Sequence, residues 1–201
     1  MKKELIYKLF SHIPTLETER LILRKMQVSD SADMYEYAKL DSVTRYLTWF
    51  SHQNENYTKD YLKFISTKYT MGDFYDWALV YKENEKMIGT CGFTRFDFQS
   101  NKAEIGYVIN PEYWGQGLTV EAASAVISFG FENFSLHRIE AKFIMGNSAS
   151  LSVMKKLGMT FEGYAREEQF IKGTYKTIGT CSLLCNEYQK VKVNEKQIIN
   201  E

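Results

Sequence analysis

The chain has 201 residues, enough for one domain with a substantial core, and its 44% apolar and 25% charged content is that of a globular protein. Its 25 basic and 25 acidic residues cancel, which removes any global electrostatic basis for direct nucleic-acid binding. No apolar run approaches the ~20 residues of a membrane span, so no membrane association is expected.

In chain order, the segment Met1 to Phe10 carries lysines among apolar residues but has no uninterrupted apolar core and no small-residue cleavage site. Residues 1–13 therefore read as a short helix or arm rather than a signal peptide, and a cytoplasmic location is expected. Leu21 to Arg24 reads as a first strand. Ser29 or Asp30 is placed to cap a helix running to about Leu40, with Met34, Tyr37 and Ala38 on one face. A second helix is expected over Tyr57 to Tyr69, where Tyr61, Leu62, Ile65 and Tyr69 recur at helical spacing. Trp77 to Tyr81 and Met87 to Thr94 read as two strands joined by the polar turn Lys82 to Lys86.

The run Ala103 to Ile109 is a further strand, with Ala103, Ile105, Tyr107 and Ile109 on one face and Glu104, Gly106 and Val108 on the other. Gly106 weakens a strand interior unless something must approach its backbone, and Glu104 lies beside that gap. There follow the turn Asn110-Pro111 and the loop Trp114-Gly115-Gln116-Gly117, then a helix expected from Leu118 to about Asn133. A glycine loop opening a helix leaves backbone N–H groups pointing one way at the positive end of the dipole, a ready site for phosphate or pyrophosphate.

His137 to Ile144 alternates as a strand. Asn147 or Ser148 is positioned to cap a short helix ending at Gly158, with Lys155 and Lys156 in its last turn. Met159 to Tyr164 and Lys176 to Cys185 read as closing strands, giving a mixed α/β layer architecture. Residues 14–189 are expected to form one domain, followed by a polar tail over 190–201. Cys91, Cys181 and Cys185 read as buried small hydrophobes in a reducing compartment. His12, His52 and His137 are scattered, so no metal site is expected, and no Ser or Cys sits in a nucleophile elbow.

Several separated segments, in order, resemble the GCN5-related N-acetyltransferase (GNAT) superfamily, and within it the RimJ/RimL-type ribosomal-protein N-terminal acetyltransferases. They are Leu16 to Arg24, Ile88 to Phe93, Ala103 to Tyr107, Tyr113 to Gly117 with Glu121-Ala122, and Asn147 to Ser150 with Leu157 to Met159. The resemblance implies a mixed sheet of about seven strands flanked by about four helices, splayed so that acetyl-CoA wedges into a V. It implies that backbone groups at Val108 and Ile109 pair with the pantetheine arm and supply the oxyanion donor. The loop and helix start formed by Trp114, Gly115, Gln116, Gly117, Leu118 and Thr119 would then hold the pyrophosphate, and Asn147 the pantetheine while also capping its helix.

By the same resemblance Glu104 is the candidate general base, directly or through water; alternatively it pairs with a surface cation or fixes substrate. Met154 stands where many members carry an acidic tyrosine, so Ser150 is the substitute candidate for protonating the thiolate. Its alternative is a first-turn bond to the helix backbone. Gln169 stands where some RimL-like enzymes carry an acid, with Glu167 and Glu168 adjacent, and Thr177 and Cys181 stand where Asp and Tyr are common. The function implied is acetyl transfer from acetyl-CoA to a protein N-terminal α-amine. The alternatives are a small-molecule amine acetyltransferase for a polyamine, amino sugar or antibiotic, and a non-catalytic CoA-binding sensor. A homodimer is compatible with the resemblance.

Overall fold

The computed structural model describes residues 3–189, so the polar tail expected over 190–201 lies outside the described residues. In chain order the elements are α1 (Lys3–Ser11), β1 (Leu16–Glu17), β2 (Leu21–Arg24), α2 (Ser31–Ala38), α3 (Asp41–Thr44), α4 (Glu55–Met71), β3 (Tyr75–Tyr81), β4 (Met87–Asp97) and β5 (Lys102–Ile109). They continue as α5 (Leu118–Phe134), β6 (Arg138–Ile144), α6 (Ser148–Lys156), β7 (Thr160–Ile171) and β8 (Thr174–Leu184). All eight strands form one sheet in the order β1-β2-β3-β4-β5-β6-β8-β7. Every pairing is antiparallel except β5 with β6.

The strand beyond the expected seven is the two-residue β1, which pairs Leu16 with Leu23. The one-turn α3 is too short to leave a periodic signature. β7 runs to Ile171 rather than to Tyr164, and most of its residues are exposed. It lacks the apolar alternation that marks a half-buried strand, and its pairing with β8 extends it instead.

Two apolar layers sandwich the sheet. On one side α5 buries Leu118, Ala122, Ala123, Val126, Ile127 and Phe131, spaced three and four apart. α1 docks beside it through Ile6 and Phe10, both 0% exposed, with the Phe10 ring 5.4 Å from Trp77 and 5.8 Å from Phe134. On the other side α2 and α4 contribute Met34, Tyr37, Leu62, Ile65 and Tyr69. Burying a side chain of this size is worth about 1.5–3 kcal/mol, so each helix is held by its apolar stripe more than by propensity. α4 starts on Asn54, whose side chain accepts from the Tyr57 amide, and ends at Gly72 in the left-handed region.

One irregularity of the sheet positions the site. β5 and β6 pair only from Lys102 with Arg138 to Ile105 with Ala141. Beyond that point β6 stays with β8 as far as Ile144, while Gly106 to Ile109 of β5 remain with β4. The two parallel strands part, and a V opens between them.

Candidate active site

Hydrogen-bond alternation along β5 determines which peptide groups face the V. The Asn110 amide donates to the Ile88 carbonyl at 2.7 Å, so the even-numbered residues Gly106 and Val108 share the ladder with β4. The odd-numbered residues Tyr107 and Ile109 turn their peptide groups toward the parted strand. Val108 and Ile109 are thus split: the Val108 peptide belongs to the sheet and the Ile109 peptide to the cleft. The Ile109 carbonyl accepts the Trp114 indole N–H at 3.0 Å, which ties that exposed ring to the end of the strand.

Behind the V, the glycine loop turns through two left-handed residues, Gly115 (φ 76°) and Gly117 (φ 79°). A Cβ at Gly115 would meet nothing within 4 Å, so backbone conformation, not crowding, demands glycine there. The first helical bond of α5 runs from the Glu121 amide to the Gly117 carbonyl, so the amides of Leu118 and Thr119 stand ahead of the helical ladder. Leu118 is 1% exposed, and its side chain belongs to the core beneath the loop.

A clamp sets the loop's orientation. Glu121 accepts from the Thr18 hydroxyl at 2.6 Å, the Arg20 amide at 2.8 Å and the Arg20 Nε at 2.7 Å. Arg20 Nη1 also donates to the Gln116 carbonyl at 3.0 Å. Burial works against the Glu121 carboxylate, but the bonds from Thr18 and Arg20 outweigh it and hold its pKa below the usual range.

Across the V, the Tyr107 hydroxyl meets both the Oγ and the carbonyl of Ser150 at 3.1 Å. Burial raises the pKa of that phenol. Asn147 caps α6 by accepting from the Ser150 amide at 3.2 Å, which leaves its side-chain NH2 available. Met154 is buried in the core at 1% exposure.

Glu104 lies on the opposite face of the sheet. Glu104 is half-buried and accepts from the Thr94 hydroxyl at 3.2 Å, within a shallow polar depression lined also by Arg95, Lys102, Glu140 and Lys142. Lys142 pairs with Glu168 at 3.0 Å. Gly92 of β4 stands opposite Gly106 of β5 and opposite Asp76 of β3, with the Thr94 side chain over Gly106 and the β3 backbone against Gly92. Two contacts cover this face: Tyr46 Oη donates to the Gly146 carbonyl at 3.1 Å, and Lys172 Nζ to the Thr44 carbonyl at 2.7 Å.

The structure therefore groups Ile109, Trp114, Gly115, Gln116, Gly117, Leu118, Thr119, Asn147 and Ser150 around the V, with Glu104 on the other face of the sheet. Sequence reasoning missed Tyr107, the Thr18–Arg20–Glu121 clamp and Asp76. For Asp76 a signal was present: one acid in the run Tyr75-Asp76-Trp77-Ala78-Leu79-Val80, where burial of an unpaired carboxylate is costly. Among the described residues no group of three or more His, Cys, Asp or Glu is placed to hold a metal ion, and no helix is long and apolar enough to cross a membrane.

The acetyltransferase (GNAT) domain family model matches residues 20–160. The uncharacterized N-acetyltransferase p20 of Bacillus licheniformis is 34% identical over 174 residues, covering 87% of this chain and 98% of that protein. The spermidine N(1)-acetyltransferase of Escherichia coli K12 is 23% identical, covering 83% and 87%. Among solved structures, a GNAT-family acetyltransferase from Bacillus anthracis superposes with a TM-score of 0.77 at 26% identity, covering 87% of this chain and all of that one. RimL, a ribosomal L7/L12 α-N-protein acetyltransferase solved with coenzyme A, shares the fold with a TM-score of 0.73 at 17% identity, over 87% and 99%.

Proposed function

The chain belongs to the acetyltransferase (GNAT) family and is an N-acetyltransferase; on that premise we propose that its acceptor is a protein N-terminal α-amine, acetylated by direct attack on the thioester of acetyl-CoA. The observation that carries its acetyl-CoA half is the parting of β5 from β6 beside the glycine loop. A buried strand edge with unpaired peptide groups is costly, and an amide-bearing pantetheine arm is its natural complement.

The residues fit acetyl-CoA. Amides from Gly115 to Thr119 would take the pyrophosphate at about 1.5–3 kcal/mol per charge-assisted bond, with Trp114 flanking it. The Asn147 side-chain amide and the Ile109 carbonyl would hold the pantetheine. When bound, acetyl-CoA supplies an activated acetyl group. The chain's own work is to present a neutral amine, stabilise the developing oxyanion through the Ile109 N–H, and return a proton to sulfur from Ser150. Glu104, at the mouth of the acceptor side, is the carboxylate that family resemblance assigns as base.

The depression around Glu104 carries mixed charge from Arg95, Asp97, Lys102, Glu140 and Lys142. This suits a peptide terminus better than a polycation, which calls for a strongly acidic wall. The partly buried carboxylate of Asp76, whose pKa desolvation raises, and the similarity to a spermidine acetyltransferase favour a small amine as the second reading.

Intact-mass detection of acetyl transfer to a mixed pool of ribosomal N-terminal peptides, polyamines and aminoglycosides separates the readings. Acetylation of a peptide α-amine is expected. Product confined to a small amine would replace this reading, and acetyl-CoA binding without any product would point to a sensor.

A further inference from the structure

We propose that Arg20, in the segment just before β2, donates to the pyrophosphate of acetyl-CoA and supplies the positive charge that the glycine loop lacks. The inference rests on the reading of the V and its loop as the acetyl-CoA site. Between Lys102 and Arg138 the chain holds no lysine or arginine, but four glutamates: Glu104, Glu112, Glu121 and Glu132. Glu112 and Glu121 flank the loop on either side. The loop amides and the start of α5 offer only partial positive charge, whereas each phosphate brings a full negative one. A full positive charge therefore has to come from another part of the chain.

The fold brings Arg20 against the loop itself. Its Nη1 donates to the Gln116 carbonyl at 3.0 Å, and a Cβ on Gly117 would lie 3.7 Å from its Nη2. Gly117 is the residue whose left-handed turn opens α5. A guanidinium carries five N–H groups. Nε and Nη2 both lie 2.7 Å from Glu121 Oε2, and Nη1 holds the Gln116 carbonyl. One N–H on each terminal nitrogen remains, and the side chain is 38% exposed. A phosphate oxygen is a strong acceptor for such a group. The neighbouring cation, Lys82, is turned the other way: its Nζ donates to the Thr18 carbonyl at 2.7 Å and pairs with Glu17 at 3.4 Å.

Glu121 explains why the charge has to be an arginine held in this place. The carboxylate is fixed in the first turn of α5 by the Thr18 hydroxyl and the Arg20 amide, where unpaired it would repel an incoming phosphate. Arg20 cancels that charge and still presents two donors to the ligand. A clamp alone and a charged site behave differently when either partner is removed. Loss of the arginine leaves a bare carboxylate at the cradle, whereas loss of the carboxylate leaves a cation facing the phosphates. A clamp is damaged equally by both changes, and a phosphate site only by the first.

The test is calorimetry of the full chain with acetyl-CoA, acetyl-dephospho-CoA and acetylpantetheine, at low and high salt. Arg20→Gln should weaken acetyl-CoA and acetyl-dephospho-CoA alike by about 10–100-fold, leaving acetylpantetheine unchanged. It should also lose most of the fall in acetyl-CoA affinity that the wild type shows on adding salt. Glu121→Gln should hold acetyl-CoA within about threefold of the wild type and keep the salt dependence. Arg20→Lys should keep the salt dependence with part of the affinity, and it reads the same contrast if Arg20→Gln does not fold. Equal losses in Arg20→Gln and Glu121→Gln, or a wild-type salt dependence in Arg20→Gln, would overturn the proposal and leave Arg20 a clamp. A loss seen with acetyl-CoA but not with acetyl-dephospho-CoA would overturn it too, by placing the charge at the 3′-phosphate. Wild-type protein that binds none of the three ligands would instead overturn the reading of the V.

Discussion

Tyr107 and Ser150 are forty-three positions apart, yet share a 3.1 Å hydrogen bond across the V. That bond orients the Ser150 hydroxyl, the proton donor we assign to the departing sulfur. Ser150→Ala should lower kcat by about 10²–10⁴ with acetyl-CoA affinity nearly unchanged, and Tyr107→Phe should lower it less, because the serine stays. Steady-state kinetics paired with acetyl-CoA titration reads both, and an unaltered kcat in Ser150→Ala would remove Ser150 from the chemistry. Asp76 carries a stability signature as well. Its folded pKa lies above the ordinary carboxylate value, so the folded state holds the proton more tightly than the unfolded chain. Its cost to folding is absent near pH 4, grows as pH rises to about 7, and is complete above that. Asparagine keeps the Oδ1 that accepts from Trp77 while removing the charge. Asp76→Asn should therefore melt higher than wild type at pH 8, the gap closing toward pH 4; a lower Tm at pH 8 would mean the carboxylate is not penalised.

At the scale of elements, the glycine loop and α5 act as one part. Pro111 follows an Asn110 whose side chain accepts from the Glu112 amide, and the chain then turns through Gly115 and Gly117 before the helix begins. The Arg20–Glu121 clamp anchors the first turn of α5 from the segment just before β2. Gly117→Val places a β-branched residue at φ 79°, costing about 1–3 kcal/mol of local strain. It should weaken acetyl-CoA binding in calorimetry while the far-UV spectrum stays folded; an unchanged affinity would move the pyrophosphate elsewhere. The glycines, the Asn cap and the apolar stripe of α5 were all legible because each is a local requirement of backbone angle or helical period. The clamp was not, because Arg20 and Glu121 are 101 positions apart and nothing in either segment names the other.

Over the whole molecule, α1 ties the start of the chain to both the sheet and α5 through Phe10, which packs on Tyr75, Trp77, Phe96 and Phe134. Phe10→Ala should cost about 3–5 kcal/mol in urea unfolding, and a loss under 1 kcal/mol would make α1 an appendage rather than part of the core. Apolar period, glycine and cap positions, and motif order were enough to determine the α/β class, the strand–loop–helix cradle and the acetyltransferase family. Those features depend on residues a few positions apart, which share one turn or one strand face. Only the tertiary structure decided that the Ile109 peptide faces the V while the Val108 peptide stays in the sheet, since that follows from where β6 leaves β5. It likewise decided that Asp76 lies beneath tyrosines from α2 and α4, because burial and pKa are set by neighbours that the local sequence does not contain.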